Sequence, residues 1–246
     1  MIGLGTLINT AAIIVGGLIG LLVGKGLKER FQRILTVAMA LCVSAMSLSG
    51  LVSKMLVPTE DGFSTQGTFV LIFSLVLGAL VGEWIDLDRQ IERFGEWLKQ
   101  KTGNAKDAAF VEAFVTASLT VSIGAMAIVG SIMDGISGDY SILLTKGIMD
   151  FVIIVVMTAS MGKGCIFSAL PVFVLQGTVT LLATLIAPLM NDTAIRDLSM
   201  VGSVLILCIG INLLAEGKFR IKVANLLPSI LFAVAAAYLP FLQGAV

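Results

Sequence analysis

Eight stretches of this sequence, about 4–24, 35–56, 68–85, 110–132, 141–161, 165–189, 198–215 and 225–242, each run apolar for some 18 residues or more. A bilayer core of roughly 30 Å takes about 20 apolar helical residues to cross. Lipid offers no water to backbone N–H and C=O groups, so each stretch must satisfy its own as a helix. The fold class that follows is all-α, a polytopic transmembrane helical bundle of about 8 spans, with 1–246 as a single integral membrane domain. Composition agrees: 57% of residues are hydrophobic and 13% charged, against roughly 45–50% and about 25% in soluble domains. The lipid bilayer is therefore the first partner, and no nucleic acid is expected. The leading run has no basic region before it and no A-x-A site, so it reads as a retained span rather than a signal peptide.

Basic residues orient the spans. Lys25, Lys28, Arg30 and Arg33 follow the first run; Arg89, Arg93, Lys99, Lys101 and Lys106 follow the third. Lys163 follows the fifth, and Lys218, Arg220 and Lys222 follow the seventh. Thirteen of sixteen basic residues thus fall in odd-numbered loops. Positive loops stay cytoplasmic, which predicts both termini outside. Within the longest polar stretch, DLDRQIERFGEWLKQK sets Leu87, Ile91, Phe94, Trp97 and Leu98 at helical spacing between charges. That pattern predicts a cytoplasmic amphipathic helix along the membrane surface, a connector first and a docking or regulatory helix second.

Two segments echo each other, GGLIGLLVGKGLKERFQRI at 16–34 and GALVGEWIDLDRQIERFGEWL at 78–98. Both start in odd-numbered runs, so the echo implies a parallel internal repeat; chance is the rival account, since the match is short and made of common membrane residues. Gly16, Gly20 and Gly24, like Gly78 and Gly82, form ridges that let helices approach closely. Such ridges serve packing within one chain or a homo-oligomer equally well.

Charge inside the apolar runs carries the functional signal. A charge at the bilayer centre costs about 2.5–3.5 kcal/mol on insertion scales, so it needs a partner, water or a use. Lys146 and Asp150 lie four residues apart near the middle of the fifth run, on one helical face, as a net-neutral pair. Glu112 stands near the cytoplasmic end of the fourth run. Asn9, Gln176 and Asn212 add neutral polar groups in the first, sixth and seventh. Asp134 and Asp139 belong to an outer turn, DGISGDY, where exposure is the default. These eight are the candidate pathway residues, and the expectation is that the pair faces a hydrated interior shared with Glu112. Two segments look able to unwind and offer carbonyls to a cavity: SIGAMAIVGS, for its small residues, and SALPV, for Pro171.

The chain has no histidine, and Cys42, Cys165 and Cys208 are scattered through apolar runs. Imidazole chemistry is excluded, and no metal site, catalytic residue or cofactor is expected. A carboxylate pair such as Asp134 with Asp139, or Ser168 with Lys163, has no convincing enzymatic motif around it.

The motifs GTLINTAAIIVGGLIG, LGALVGEWIDLDRQIERFG, FVEAFVTASL, GAMAIVGSIMDGISGD, LLTKGIMD, FSALPVFVLQGTVTLLA, VGSVLILCIGINLL and VANLLPS together resemble the domain-of-unknown-function 554 family of bacterial inner-membrane proteins, the YqgA/YdfK type. The resemblance spans nearly the whole chain and implies the bacterial inner membrane. It brings no chemistry, but Glu112, Asp134, Asp139, Lys146, Asp150 and Gln176 all fall within its motifs. The chain departs from the pattern at Ala125 and Met133, where relatives often carry proline and glutamine, so no role is carried to either. The function expected is a transporter or channel for a small ion or solute. No Walker motif is present, so movement would be passive or gradient-driven. Acidic groups favour a cation or proton coupling, while Lys146 suits an anionic or zwitterionic solute. The alternatives are a non-transporting membrane partner that docks through the amphipathic helix and, behind it, an intramembrane enzyme.

Overall fold

A computed structural model describes residues 1–59, 62–215 and 219–239. The chain is a helical membrane bundle with one short β-hairpin. It begins with α1 (Leu4–Gly24) and α2 (Glu29–Met55), then a short hairpin pairing β1 (Leu56–Thr59) with β2 (Gly62–Thr65). After it come α3 (Thr68–Ile85), α4 (Leu87–Lys101), α5 (Phe110–Ser122), α6 (Ala125–Ser137) and α7 (Ser141–Met161). A 3-10 turn (Lys163–Ser168) leads into α8 (Ala169–Leu181) and the single turn α9 (Ala183–Ile186). The chain then forms α10 (Asp192–Ala215), a 3-10 turn (Val223–Leu226) and α11 (Pro228–Ala236).

Among the described residues, six helical segments are long and apolar enough to cross a membrane: α1, α2, α3, α7, Lys163–Leu181 and α10. The pair α5 and α6 makes a seventh crossing if it is counted as one bent span. Two of the eight expected runs take another form, and a third keeps its helix where unwinding was expected. The fourth run, expected as one helix over 110–132, is two helices meeting at 62°. Ile123 is extended, and Gly124 takes φ 142°, ψ 152°, a backbone region open only to glycine. The sixth run is not unwound at Pro171, which sits at the third position of α8, where a missing N–H costs nothing. The eighth run forms only a short apolar stretch over Val223–Ala236; its last residues, 240–242, lie outside the described residues, as does Lys218.

Two apolar clusters meet on α5. One joins Phe110, Phe114 and Leu119 to Leu205, Ile209 and Leu213 of α10 and to Leu98 of α4. The other joins Ala113, Ala117 and Val121 to Ile13 of α1, Ile154 and Met157 of α7, and Val172 of α8. Buried at most of its positions, α5 runs through the middle of the bundle, while α1, α2 and α3 present apolar side chains outward.

Glycines set close contacts between helices. A Cβ at Gly16 would stand 2.8 Å from the Phe151 carbonyl, and one at Gly20 2.5 Å from that of Val155. The ridge of α1 is therefore locked on α7. The echoing glycines of α3 work in the same way against the C-terminal segment, Gly78 on Ser229 and Gly82 on the Asn225 backbone. The amphipathic helix α4 turns off α3 at Asp86, whose φ of 54° is left-handed. It packs on α5 through Leu98 and through Gly95 against Phe114. Its Phe94 and Trp97 rings stack at 5.7 Å and remain largely exposed.

Candidate functional site

The break between α5 and α6 explains the buried charges. A helix leaves its last carbonyls without N–H partners, and α5 ends one residue after Val121. Lys146 Nζ donates to that free Val121 carbonyl at 2.6 Å and also to Asp150 Oδ2. Both side chains of this ion pair are more than nine-tenths buried.

The pair belongs to a polar layer. Ile13, Ile154 and Val172 pack together in the core. One turn along from each, by helical register, stand Asn9 on α1, Asp150 on α7 and Gln176 on α8. Asn9 is 0% exposed and Gln176 1%. The Asn9 carboxamide lies beside the Asp150 carboxyl, with room provided by Gly147, where a Cβ would be 3.3 Å from Asn9 Cα. Among the described residues, neither amide oxygen nor nitrogen of Asn9 or Gln176 has a hydrogen-bond partner of good geometry. Each such unmet group costs roughly 1–3 kcal/mol. The layer thus sets a full ion pair beside two buried amide side chains.

Two cavities lie along the seam of α2, α5, α7 and α10. The larger of the two, of about 400 Å³, reaches Lys146, Asp150, the break at Gly124, and Ser47, Ser199 and Ser203. The other, of about 300 Å³, is lined by Glu112, Asn212 and Arg220 with Thr36, Thr116 and Ser160. Between them the seam is closed by Ala40, Met157 and Ile209, all buried. Here α2 and α10 touch, since a Cβ at Gly210 would meet the Ala40 carbonyl at 3.2 Å.

The remaining candidates scatter. Glu112 is exposed and, two turns along α5 from Thr120, belongs to the second cavity, so it shares no chamber with the pair. Asn212 lines that same cavity, but its carboxamide is committed to the Ile221 backbone. It accepts from Ile221 N–H at 2.8 Å and donates to Ile221 O at 2.8 Å. Asp134 is not in an exposed turn. α6 runs on to Ser137, which puts Asp134 in its last turn at 0% exposure. There it accepts from Gly3 N–H at 3.2 Å and Gly5 N–H at 3.0 Å, capping the positive end of α1. Asp139 is exposed as expected. It accepts from the Ser141 N–H and hydroxyl, and these bonds hold its carboxyl below the usual range.

A second charged group, outside the apolar layer, was not singled out from sequence. Arg220 binds Asp88 at 3.0 Å and also Glu92; Lys222 binds Glu83 at 2.8 Å. Asn225 joins the two pairs, donating to Glu83 at 2.6 Å and accepting from the Asp88 N–H at 2.6 Å. Burial pushes the Asp88 carboxyl above its ordinary range, against the pull of Arg220. Sequence reading also passed over the hydroxyls of the larger seam cavity. The signal was there in Ser199 and Ser203, spaced i,i+4 on α10, but single serines are common in membrane helices. Among the described residues, no three His, Cys, Asp or Glu side chains gather closely enough to hold a metal ion.

The family described as "Protein of unknown function (DUF554)" matches residues 4–238. The chain is 31% identical over 227 residues to "Uncharacterized membrane protein YdfK" of Bacillus subtilis (strain 168), covering 92% of each. It is 25% identical over 235 residues to "Uncharacterized protein YqgA" of Escherichia coli (strain K12), covering 94% of each. No solved structure gives a significant match.

Proposed function

This chain belongs to the DUF554 family, and from that premise we propose that it is a transporter for a small solute, driven by a gradient. One observation carries the reading: two cavities share one four-helix seam, closed by a single apolar turn, with a buried ion pair in the larger chamber. Chambers separated by a thin barrier are what alternating access requires, and a broken helix near the midplane is where transporters place their sites. The proton is the coupling ion we favour. Protonation of Asp150 would release Lys146 and make the chamber cationic; deprotonation would restore the pair. The loop charges favour both termini outside the plasma membrane, which takes the short Val223–Ala236 stretch as an eighth passage, so the cavity holding Glu112 and Arg220 opens inward. The chemistry proposed is binding and translocation, with no catalytic step.

The test is current across proteoliposomes on a solid-supported membrane, with jumps of pH, cations and pooled amino or organic acids. Asp150→Asn should lose at least nine-tenths of the current while purifying as a folded protein. An unchanged current would remove Asp150 from the mechanism. Silence from the parent, in a tracer assay as well, would end the transport reading. It would favour instead a membrane partner that docks through the exposed Trp84, Phe94 and Trp97 around α4.

A further inference from the structure

The transport reading leaves the solute open, and the larger seam cavity carries information about it. At about 400 Å³ the chamber has the size of an organic-ligand site, whereas a bare ion is held by one tight shell of oxygens. Its wall is mostly apolar, with Met46, Met126, Met149, Ile153 and Ile206 among the lining residues. Against that wall stand one ammonium and one carboxylate, Lys146 and Asp150, bonded to each other.

Charge then selects the ligand class. A lone cation entering this chamber meets Lys146, and a lone anion meets Asp150. Either would also bring net charge into a low-dielectric site, which is costly. A zwitterion avoids both penalties, because its carboxylate can take Lys146 while its ammonium takes Asp150, at no change in net charge. We infer that the solute is a small zwitterion with an apolar tail, of the class of neutral α-amino acids; this rests on the transport reading.

Three further features fit each end of such a molecule. The chamber wall includes Gly124, Ala125 and Met126, the start of α6, where helix N–H groups favour a carboxylate. Ser47, Thr120, Ser199 and Ser203 donate their hydroxyl protons to carbonyls of their own helices, at 2.8, 2.7, 2.6 and 2.8 Å. Their oxygens are left as acceptors for an ammonium. Asn9, buried and unmet beside Asp150, can stabilise the carboxylate when the ion pair opens. The methionines supply a polarizable wall that adapts to tails of different shape, so the inference is of a preference for the class rather than for one member.

The experiment uses full-length protein in proteoliposomes with labelled L-leucine as probe. It is paired with isopentylamine, which keeps the ammonium and the tail, and isovalerate, which keeps the carboxylate and the tail. Unfolding temperature read from tryptophan fluorescence runs in parallel. Uptake of leucine should be at least tenfold that of either half-molecule, and leucine alone should raise the unfolding temperature. The charge-swapped Lys146→Asp/Asp150→Lys variant, which keeps a pair, should lose leucine stabilisation while still unfolding cooperatively. Equal handling of either half-molecule would overturn the zwitterion. So would a proton or alkali-cation current indifferent to leucine, though transport would stand. Leucine stabilisation without any uptake would support the site while overturning transport. Absence of both would overturn the ligand class, and cation currents recorded on the same vesicles would decide transport separately.

Discussion

Two groups of ion pairs in this protein stand in opposite settings, and the contrast bears on the transport proposal. At the end of α3, Glu83, Asp88 and Glu92 meet Arg220 and Lys222 around the Asn225 amide. Arg220, Lys222 and Glu83 there are about half exposed or more, water screens the pairs, and every partner is replaceable. The pair on α7 is more than nine-tenths buried. Lys146 is held by one carboxylate and one carbonyl, and beside it two amides go unmet. The outer cluster is fully satisfied, as a clasp should be. The inner layer sits beside a cavity of about 400 Å³, where the proposed transport reading puts its solute.

The sharpest way to break this contrast is to remove one inner charge. Asp150→Ala leaves an uncompensated buried ammonium and should destabilise by about 3–5 kcal/mol. The double variant Lys146→Met/Asp150→Leu should recover most of that, because an apolar pair of similar volume removes both desolvation costs, yet its transport should stay lost. Chemical unfolding beside flux reads both, and recovery of transport in the double variant would make the pair structural. Next in size, Gly82→Ala tests whether packing rather than charge closes the clasp. The new methyl would collide with the Asn225 backbone, at about 1–3 kcal/mol for overpacking. Lys222→Ala, by comparison, should cost less than about 1 kcal/mol, as exposed pairs do. If Lys222→Ala proves the more damaging, the clasp is electrostatic after all.

A smaller effect depends on pH. Burial raises the Asp88 carboxyl above its ordinary range, so the folded state holds that proton more tightly than the unfolded chain does. The stability linked to it is complete below the unfolded pKa and is lost as pH rises through the folded one. Asp88→Asn should therefore match the parent in acid and equal or exceed it at neutral pH. Unfolding temperatures across that range check this, and a parent more stable at neutral pH would show that the Arg220 bond outweighs burial. Smallest is Asp139, a solvent-facing cap on Ser141 whose carboxyl sits below its usual range. Its contribution is present above the unfolded pKa and lost as pH falls through the folded one. Asp139→Asn should leave flux unchanged, which tracer uptake can verify.

Several parts of this outcome were legible in the residues. Length and apolarity announced most of the spans, because a bilayer leaves a helix little alternative. Spacing of four announced the Lys146–Asp150 pair, and the small residues of SIGAMAIVGS marked the stretch that breaks. The amphipathic pattern of 87–98 became α4. Other parts could not be read. Nothing local distinguishes Asp134, buried as the cap of α1, from Asp139 five residues on, exposed in the turn. The difference lies in which distant helix end arrives beside each.

Sequence by itself thus determined the solvent, the helices and the cost of placing charge among them, since these depend on hydrophobicity and on periodicities of a few residues. Only the tertiary structure decided which polar groups meet. It brought Val121, Asn9 and Gln176 to the level of Asp150, set Glu112 in a separate chamber, and tied Arg220 to Asp88 across 132 positions. Such meetings depend on how closely helices approach, and that is governed by glycine ridges and side-chain volumes acting between segments far apart in the chain.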